Sequence, residues 1–292
     1  MRKVLVTGSA GQLGRRLMAQ VAEDAGTVEW VGLDRAGLDI TDERAVEAAI
    51  SAIKPHAIIN CAAYTAVDRA EQEPALAHAI NADGPGNLAR AAAAHGVDFL
   101  HVSTDYVFDG EVDAPLRPEH PTGPLGAYGA SKRAGEEAVL AAGGRAWVVR
   151  IAWLYDPWGP NFLHTMVRLA ESGRALRVVD DQHGTPTSAV AFARALRAWA
   201  EEPGRWAPGI WHFGHCGVTT WYGFARAIFE GLGLDVDASP CTTAEYPTPA
   251  RRPRHSHLDP EPWFEAVGES PETWQTALAE CLELVRQERR ST

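Results

Sequence analysis

Short, largely apolar runs alternate with longer alanine-rich stretches along the first half of the chain. The runs fall at residues 4–6, 28–33, 57–60, 99–102 and 147–151, and helical spacing of apolar positions covers 12–22, 42–53, 75–95 and 127–142. A strand that is apolar at every position has both faces covered, and helices between such strands are the crossovers of a parallel sheet. Right-handed crossovers then predict an α/β fold, a Rossmann-type doubly wound parallel sheet. After about residue 155 the rhythm breaks, and aromatics, prolines and glycines increase. Helices are expected at 162–171, 188–201, 221–231 and 271–287, with strands at 176–179 and 210–213. The pattern predicts a dinucleotide-binding domain over 1–155, with segments near 180–215 returning to its sheet, and a smaller mixed α/β substrate-binding region over 156–292. No linker, repeat or low-complexity tract separates them.

Composition narrows the partners. The 292 residues are 46% hydrophobic and 22% charged, an ordinary globular balance. Lys and Arg number 27 against 38 Asp and Glu, a net charge of −11, which repels nucleic acid and anionic membrane surfaces. A phosphate-bearing ligand therefore needs a local site of backbone amides and arginines. No apolar run approaches the roughly 18 residues of a membrane span, and the N-terminus lacks a signal-peptide core, so a cytoplasmic protein is expected. Cys61, Cys216, Cys241 and Cys281 form no CxxC pair, which argues against structural zinc and a disulfide framework. His212-Phe213-Gly214-His215-Cys216 alternates like a short strand without a carboxylate, so no metal is expected.

Chemistry enters at the end of the first strand. Gly8-Ser9-Ala10-Gly11-Gln12-Leu13-Gly14 has GxxGxxG spacing between a strand and a helix start. Gly8 permits a tight turn, Gly11 lets backbone approach a pyrophosphate, and Gly14 lets the helix pack on the strand. Helix N-terminal amides then face the phosphates. Gly8, Ala10, Gly11, Gln12, Leu13 and Gly14 are thus candidate contacts to NADPH or NADH. Asp34, 20 residues beyond Gly14, suits the ribose hydroxyls of NAD, whereas Arg35 suits the 2′-phosphate of NADP. Asp39 and Ile40 offer an adenine wall, although Asp39 also fits as a cap for the next helix.

Tyr128-Gly129-Ala130-Ser131-Lys132 is a YxxxK sequence, and its i, i+4 spacing places Tyr128 and Lys132 on one helix face. A neighbouring ammonium is expected to lower the phenol pKa and to anchor a nicotinamide ribose. Thr104 closes the fourth strand, at the sheet edge where ligands bind. Its hydroxyl is positioned to hydrogen-bond a carbonyl oxygen beside Tyr128.

With these motifs in place, the chain resembles the extended short-chain dehydrogenase/reductases, in particular the branch that reduces dTDP-linked 4-keto sugars. The likeness runs through Asn60-Cys61-Ala62-Ala63-Tyr64-Thr65-Ala66-Val67-Asp68, Ser103-Thr104-Asp105-Tyr106-Val107-Phe108 and the YxxxK segment. It continues through Asp180-Asp181-Gln182-His183-Gly184-Thr185-Pro186-Thr187, Thr219-Thr220-Trp221 and Tyr246-Pro247-Thr248-Pro249-Ala250-Arg251-Arg252-Pro253. The resemblance implies Thr104, Tyr128 and Lys132 as the catalytic groups, and Ala62, Ala63 and Tyr64 beside the cofactor. It implies Val67, Asp105, Tyr106 and Trp153 near the sugar nucleotide, and Asn161 and Arg252 on its diphosphate. Arg252 is equally readable as a solvated loop residue with Arg251 and Arg254, and Trp153 and Trp221 as core aromatics.

Related dehydratases carry Asp-Glu after the catalytic threonine. Here Asp105 is followed by Tyr106, so the resemblance implies plain reduction. Some members bind Mg²⁺ at a dimer interface through an acid just after the glycine motif, where this chain has Arg15. The implied activity is NAD(P)H-dependent reduction of the 4-keto group of dTDP-4-dehydro-β-L-rhamnose, by a monomer or homodimer. The alternatives are another dTDP-6-deoxy sugar in specialised metabolism and a non-catalytic NADP-binding regulatory subunit.

Overall fold

The computed structural model describes residues 2–22 and 28–291. From β1 (Arg2–Thr7) the chain enters α1 (Gln12–Ala22), β2 (Val28–Leu33), α2 (Glu43–Ile53) and β3 (Ala57–Asn60). Two short helices, α3 (Val67–Ala70) and α4 (Pro74–His78), lead through a π-helical turn at Ala79–Asp83 into α5 (Gly84–Ala94). Then come β4 (Asp98–Thr104), α6 (Ala127–Ala141), β5 (Ala146–Ile151) and β6 (Leu154–Tyr155). The second half holds α7 (Phe162–Glu171), β7 (Leu176–Val179), β8 (His183–Gly184), β9 (Thr187–Ser188), α8 (Ala189–Glu201), β10 (Gly209–His212) and β11 (Thr219–Thr220). It closes with α9 (Trp221–Leu232), β12 (Ala238–Cys241), α10 (Glu261–Val267) and α11 (Trp274–Ser291).

Six strands form one parallel sheet in the order β10-β5-β4-β3-β1-β2. The crossovers reverse between β1 and β3, opening a crevice at their carboxyl ends, where doubly wound sheets bind ligands. Alternate strand residues feed two buried layers. Val4, Val6, Ile59, Leu100, Trp147 and Val149 meet α1, α8 and Trp263 of α10 on one face. Leu5, Ile58, Phe99 and Val148 meet α2, α5 and Val139 of α6 on the other. Burial on both faces is why these strands read as largely apolar runs, broken by a few buried polar residues such as Asn60, His101 and Arg150.

The segment 189–212 supplies a helix and the edge strand to this unit, and α10, which the periodicity of the sequence does not reveal, packs on it through Trp263. A separate apolar cluster joins α7, β7, α9 and α11 through Leu163, Val178, Phe224, Ile228 and Leu278. The stretch expected as one helix over 75–95 is two helices joined by the π turn, and the last helix begins at Trp274 rather than 271. Among the described residues, no helix is long and apolar enough to cross a membrane.

Candidate active site

The β1–α1 turn is shaped by its glycines. Gly8 sits at φ +67°, and a Cβ there would lie 2.5 Å from the Ala62 nitrogen. A Cβ on Gly14 would lie 2.3 Å from the Gly8 carbonyl oxygen. The Gly11 amide donates to the Gly8 carbonyl at 2.9 Å, and Gly11 in turn accepts from Arg15 at 2.9 Å, starting α1. Ala10 and Gly11 are exposed, Leu13 and Gly14 are buried, and Gln12 donates to the Leu154 carbonyl at 3.3 Å. This bare backbone at a helix N-terminus fits a dinucleotide pyrophosphate.

Asp34 and Arg35 stand exposed just after β2, where Asp34 accepts from the Gly37 amide at 3.0 Å. Asp39 does not cap the following helix. It accepts from the Thr41 amide and hydroxyl at 3.0 and 2.7 Å, while Asp42 caps α2 through the Arg44 and Ala45 amides. Ile40 is buried beneath this turn.

After β3 the chain is clamped into the crevice. The Ala62 amide donates to Asn60 at 3.0 Å, Ala63 lines the cleft, and the Tyr64 amide donates to Asn81 at 2.8 Å. Asn81 sits on the π turn and gives its own amide to the Tyr64 carbonyl and the Ser131 hydroxyl, both at 3.0 Å. The Tyr64 hydroxyl is held by Glu73 at 2.7 Å.

Thr104, Tyr128 and Lys132 line the same cleft as Gly11, Gln12 and Leu13. The Thr104 hydroxyl donates to Asp105 at 2.9 Å and accepts from the Tyr106 amide at 3.2 Å, and it lies beside Tyr128 in the cleft. Burial raises the Tyr128 phenol to about 12, and Thr104 only partly counters it. The lowering expected from a neighbouring ammonium is absent. Lys132 instead gives its ammonium to the Val102 carbonyl at 2.7 Å and lies 3.2 Å from His101. Burial draws Lys132 down to about 8, against the charge of Glu136. That carboxylate is itself neutralised by a buried two-pronged pair with Arg150, at 2.8 and 2.7 Å. Tyr128 is therefore a fully protonated donor at neutral pH.

Asp105 is 2% exposed and its Oδ2 has no hydrogen-bond partner. Burial pushes its carboxyl up to about 7 against the pull of the Thr104 hydroxyl. Tyr106 packs edge-on to Tyr128, with ring centroids 5.3 Å apart.

The far wall is aromatic. Trp153 stacks on Trp221 at 3.7 Å, both against the cleft. Trp153 has φ +48°, a left-handed backbone that costs a non-glycine residue about 1–2 kcal/mol and is concentrated at functional sites. Gly184 makes the room, since a Cβ there would lie 2.6 Å from the Trp153 ring. Val67 and Asn161 also line the cleft. Asn161 caps α7, and its amide is committed to the carbonyls of Asp156 and Gly159 at 2.8 and 3.3 Å.

Beyond Tyr106, Phe162 and Trp221 lies a second cavity that shares these three residues with the first. Met166, Leu169 and Val178 form apolar walls, and Gln182, Arg177 and Arg252 bring polar groups. Arg252 is not a freely solvated loop residue. It grips Asp68 through both terminal nitrogens at 3.1 and 3.0 Å, and also contacts Thr248. Met166, Arg177 and Gln182 are missed by sequence reasoning as site residues. Gln182 stands inside a motif block, and the other two carry no local signal.

Comparison with known proteins fits this geometry. A family model described as the RmlD substrate binding domain matches residues 1–287. The chain is 45% identical to a dTDP-4-dehydrorhamnose reductase of Streptomyces griseus, over 94% of this chain and 91% of that one. It is 42% identical to a probable dTDP-4,6-dihydroxy-2-methyloxan-3-one 4-ketoreductase of Streptomyces antibioticus, over 94% and 93% of the two chains. The crystal structure of dTDP-4-dehydrorhamnose reductase from Bacillus anthracis in complex with NADP superposes with a TM-score of 0.91 at 34% identity, covering 97% of this chain and 99% of that one.

Proposed function

The chain belongs to the RmlD substrate-binding-domain family, and from that premise we propose that it uses NADPH or NADH to reduce the 4-keto group of dTDP-4-dehydro-β-L-rhamnose, giving dTDP-L-rhamnose. The observation that carries this reading is one continuous run of features. The glycine turn opens onto Thr104, Tyr128 and Lys132, and past Tyr106 and Trp221 the second cavity follows.

When bound, the dihydronicotinamide supplies the hydride. Gly8, Ala10, Gly11, Gln12, Leu13 and Gly14 would hold the pyrophosphate, and Asp34, Arg35, Asp39 and Ile40 the adenosine end. Ala62, Ala63, Tyr64 and Lys132 would hold the nicotinamide end. Tyr128 gives its proton to the sugar oxygen as charge develops there, and Thr104 provides the second hydrogen bond to that oxygen. Tyr106, Asp105, Val67 and the Trp153–Trp221 stack enclose the sugar. The diphosphate passes Asn161 and Arg252, and the nucleoside enters between Met166 and Gln182. Every group used belongs to one chain, so a monomer or a homodimer serves, and a cytoplasmic location supplies both reactants.

The likeness to a 4-ketoreductase with a different printed substrate favours one second reading, the same chemistry on another dTDP-linked 6-deoxy sugar. Oxidation of NADPH or NADH is followed with purified dTDP-4-dehydro-β-L-rhamnose and with other dTDP-4-keto sugars, and products are identified by mass and NMR. Saturable turnover to dTDP-L-rhamnose, faster than on the other sugars, supports the first reading. Faster turnover on another sugar supports the second, and no turnover on any of them refutes both.

A further inference from the structure

Lys132 is backed by a buried chain of side chains that fixes where protons reside. Parallel pairing places Asn60 of β3 opposite His101 of β4, and both are fully buried. Asn60 has one possible orientation. The Ala62 backbone amide can only donate, and it reaches Asn60 Oδ1 at 3.0 Å, as does the Thr7 hydroxyl at 2.7 Å. The NH₂ end of Asn60 therefore faces His101 Nδ1, at 2.9 Å. An amide NH₂ can only donate, so Nδ1 carries the lone pair. With Nδ1 as acceptor the ring carries no second proton, and burial holds it in that neutral form, well below its ordinary range. A neutral ring has one N–H, and here it is at Nε2, the nitrogen 3.2 Å from Lys132 Nζ.

Two donors then face each other unless the lysine is neutral. We propose that Asn60 and His101 act as positioning residues, holding the imidazole as a hydrogen-bond donor toward Lys132 so that the neutral amine is favoured and the lysine gives up a proton readily. This deepens the reductase reading and rests on it for its role in turnover. The ammonium is the form that would hold the nicotinamide ribose, and the amine left when it loses its proton accepts from His101 Nε2–H.

Other groups around Lys132 do not replace this effect. Glu136 and Tyr128 share its helix, Cys61 approaches from the end of β3, and the Val102 carbonyl belongs to β4. Glu136 and Cys61 both favour the charged lysine, and Glu136 is already paired with Arg150 of β5. Among these side chains, only His101 is within hydrogen-bond distance of the lysine nitrogen.

The test reads the tautomer directly. Long-range ¹H–¹⁵N NMR of ¹⁵N-histidine-labelled enzyme, with His101 assigned by its loss in His101→Phe, should show the proton on Nε2. Asn60→Asp presents an acceptor instead, and should move the proton to Nδ1. A ¹³C-lysine titration should then show Lys132 ionising about one pH unit higher in both variants than in the native chain. The alkaline limb of kcat/KM should move up with it. A native proton on Nδ1, or an unmoved Lys132 titration in both variants, overturns the proposal. The NMR arms need no substrate, so failure of the reductase reading would appear separately, as normal proton positions with no turnover.

Discussion

Replacing Tyr128 by Phe removes one oxygen and nothing else from the centre of the cleft. The ring keeps its edge-on contact with Tyr106 at 5.3 Å. Thr104 keeps the Asp105 acceptor at 2.9 Å and the Tyr106 amide at 3.2 Å, so no buried polar group is orphaned. The stability change should therefore stay within about 1 kcal/mol, a shift in Tm of no more than about 3 °C. Catalysis has no such reserve. A phenol raised to about 12 is fully protonated at neutral pH, and its loss leaves the developing alkoxide with Thr104 alone. Loss of a positioned general acid costs two to four orders of magnitude in rate, about 3–5 kcal/mol of barrier. The assay is single-turnover oxidation of NADPH with saturating keto sugar, beside a cofactor titration and a melting curve. A rate within tenfold of the native enzyme, with cofactor bound normally, refutes the assignment, because water or another group must then deliver the proton.

Three further outcomes follow from the geometry. Asp105 rises from 3.8 to about 7 in the fold. Below about pH 4 it is protonated folded and unfolded and contributes nothing. As pH climbs the unfolded chain ionises first, so stability falls until about pH 7, by about 4 kcal/mol in order of magnitude. Asp105→Asn should therefore melt higher than the native chain at pH 8 and match it near pH 4, and a gap that does not change with pH contradicts the argument. Arg150→Met leaves Glu136, 3% exposed, buried without its partner and should cost about 3–5 kcal/mol in denaturant unfolding, most of it recovered in the Arg150→Met/Glu136→Leu double variant. Gly8→Ala combines a left-handed backbone at φ +67° with a Cβ 2.5 Å from Ala62, and should weaken dinucleotide binding by about tenfold or more. Titration of intrinsic fluorescence with NADPH measures it, and unchanged affinity would show that the turn yields without loss.

The parallel sheet was legible because covering both faces leaves strands such as β3 and β5 apolar at all but one position each, Asn60 and Arg150, both buried. The glycine turn, Thr104 and the YxxxK pair were legible because each is short and local. β12 was not. Its sequence Ala-Ser-Pro-Cys has two exposed positions in the middle and belongs to a two-stranded pairing, so it carries no apolar signature. The second cavity was hidden for a different reason. Met166, Arg177, Gln182 and Arg252 come from separate segments of the smaller region, and no spacing rule joins them. The expected ammonium effect on Tyr128 failed because an i, i+4 spacing fixes a shared helix face, whereas the direction of a long lysine side chain is set by the strand it packs on. The Val102 carbonyl and His101 decide it here.

The wide turn at Ala79–Asp83 acts as a spacer between helices. A π turn accommodates one residue more than a regular helical turn, and each α-helical residue advances the chain by about 100°. Deleting one residue there would let α4 and α5 run on with regular helical spacing, missing only the backbone bond that Pro85 cannot donate. The two halves would then be rotated about 100° against each other. If α5 kept its apolar face on the sheet, Asn81 would swing away from Tyr64 and Ser131, to which it now bonds at 2.8–3.0 Å. Circular dichroism would register a normal helical protein, yet the loop carrying Ala62 and Ala63 would have lost its tie to the helix bearing Tyr128. The alignment of cofactor and proton donor thus depends on a single irregular turn that contributes nothing distinctive to the helix count.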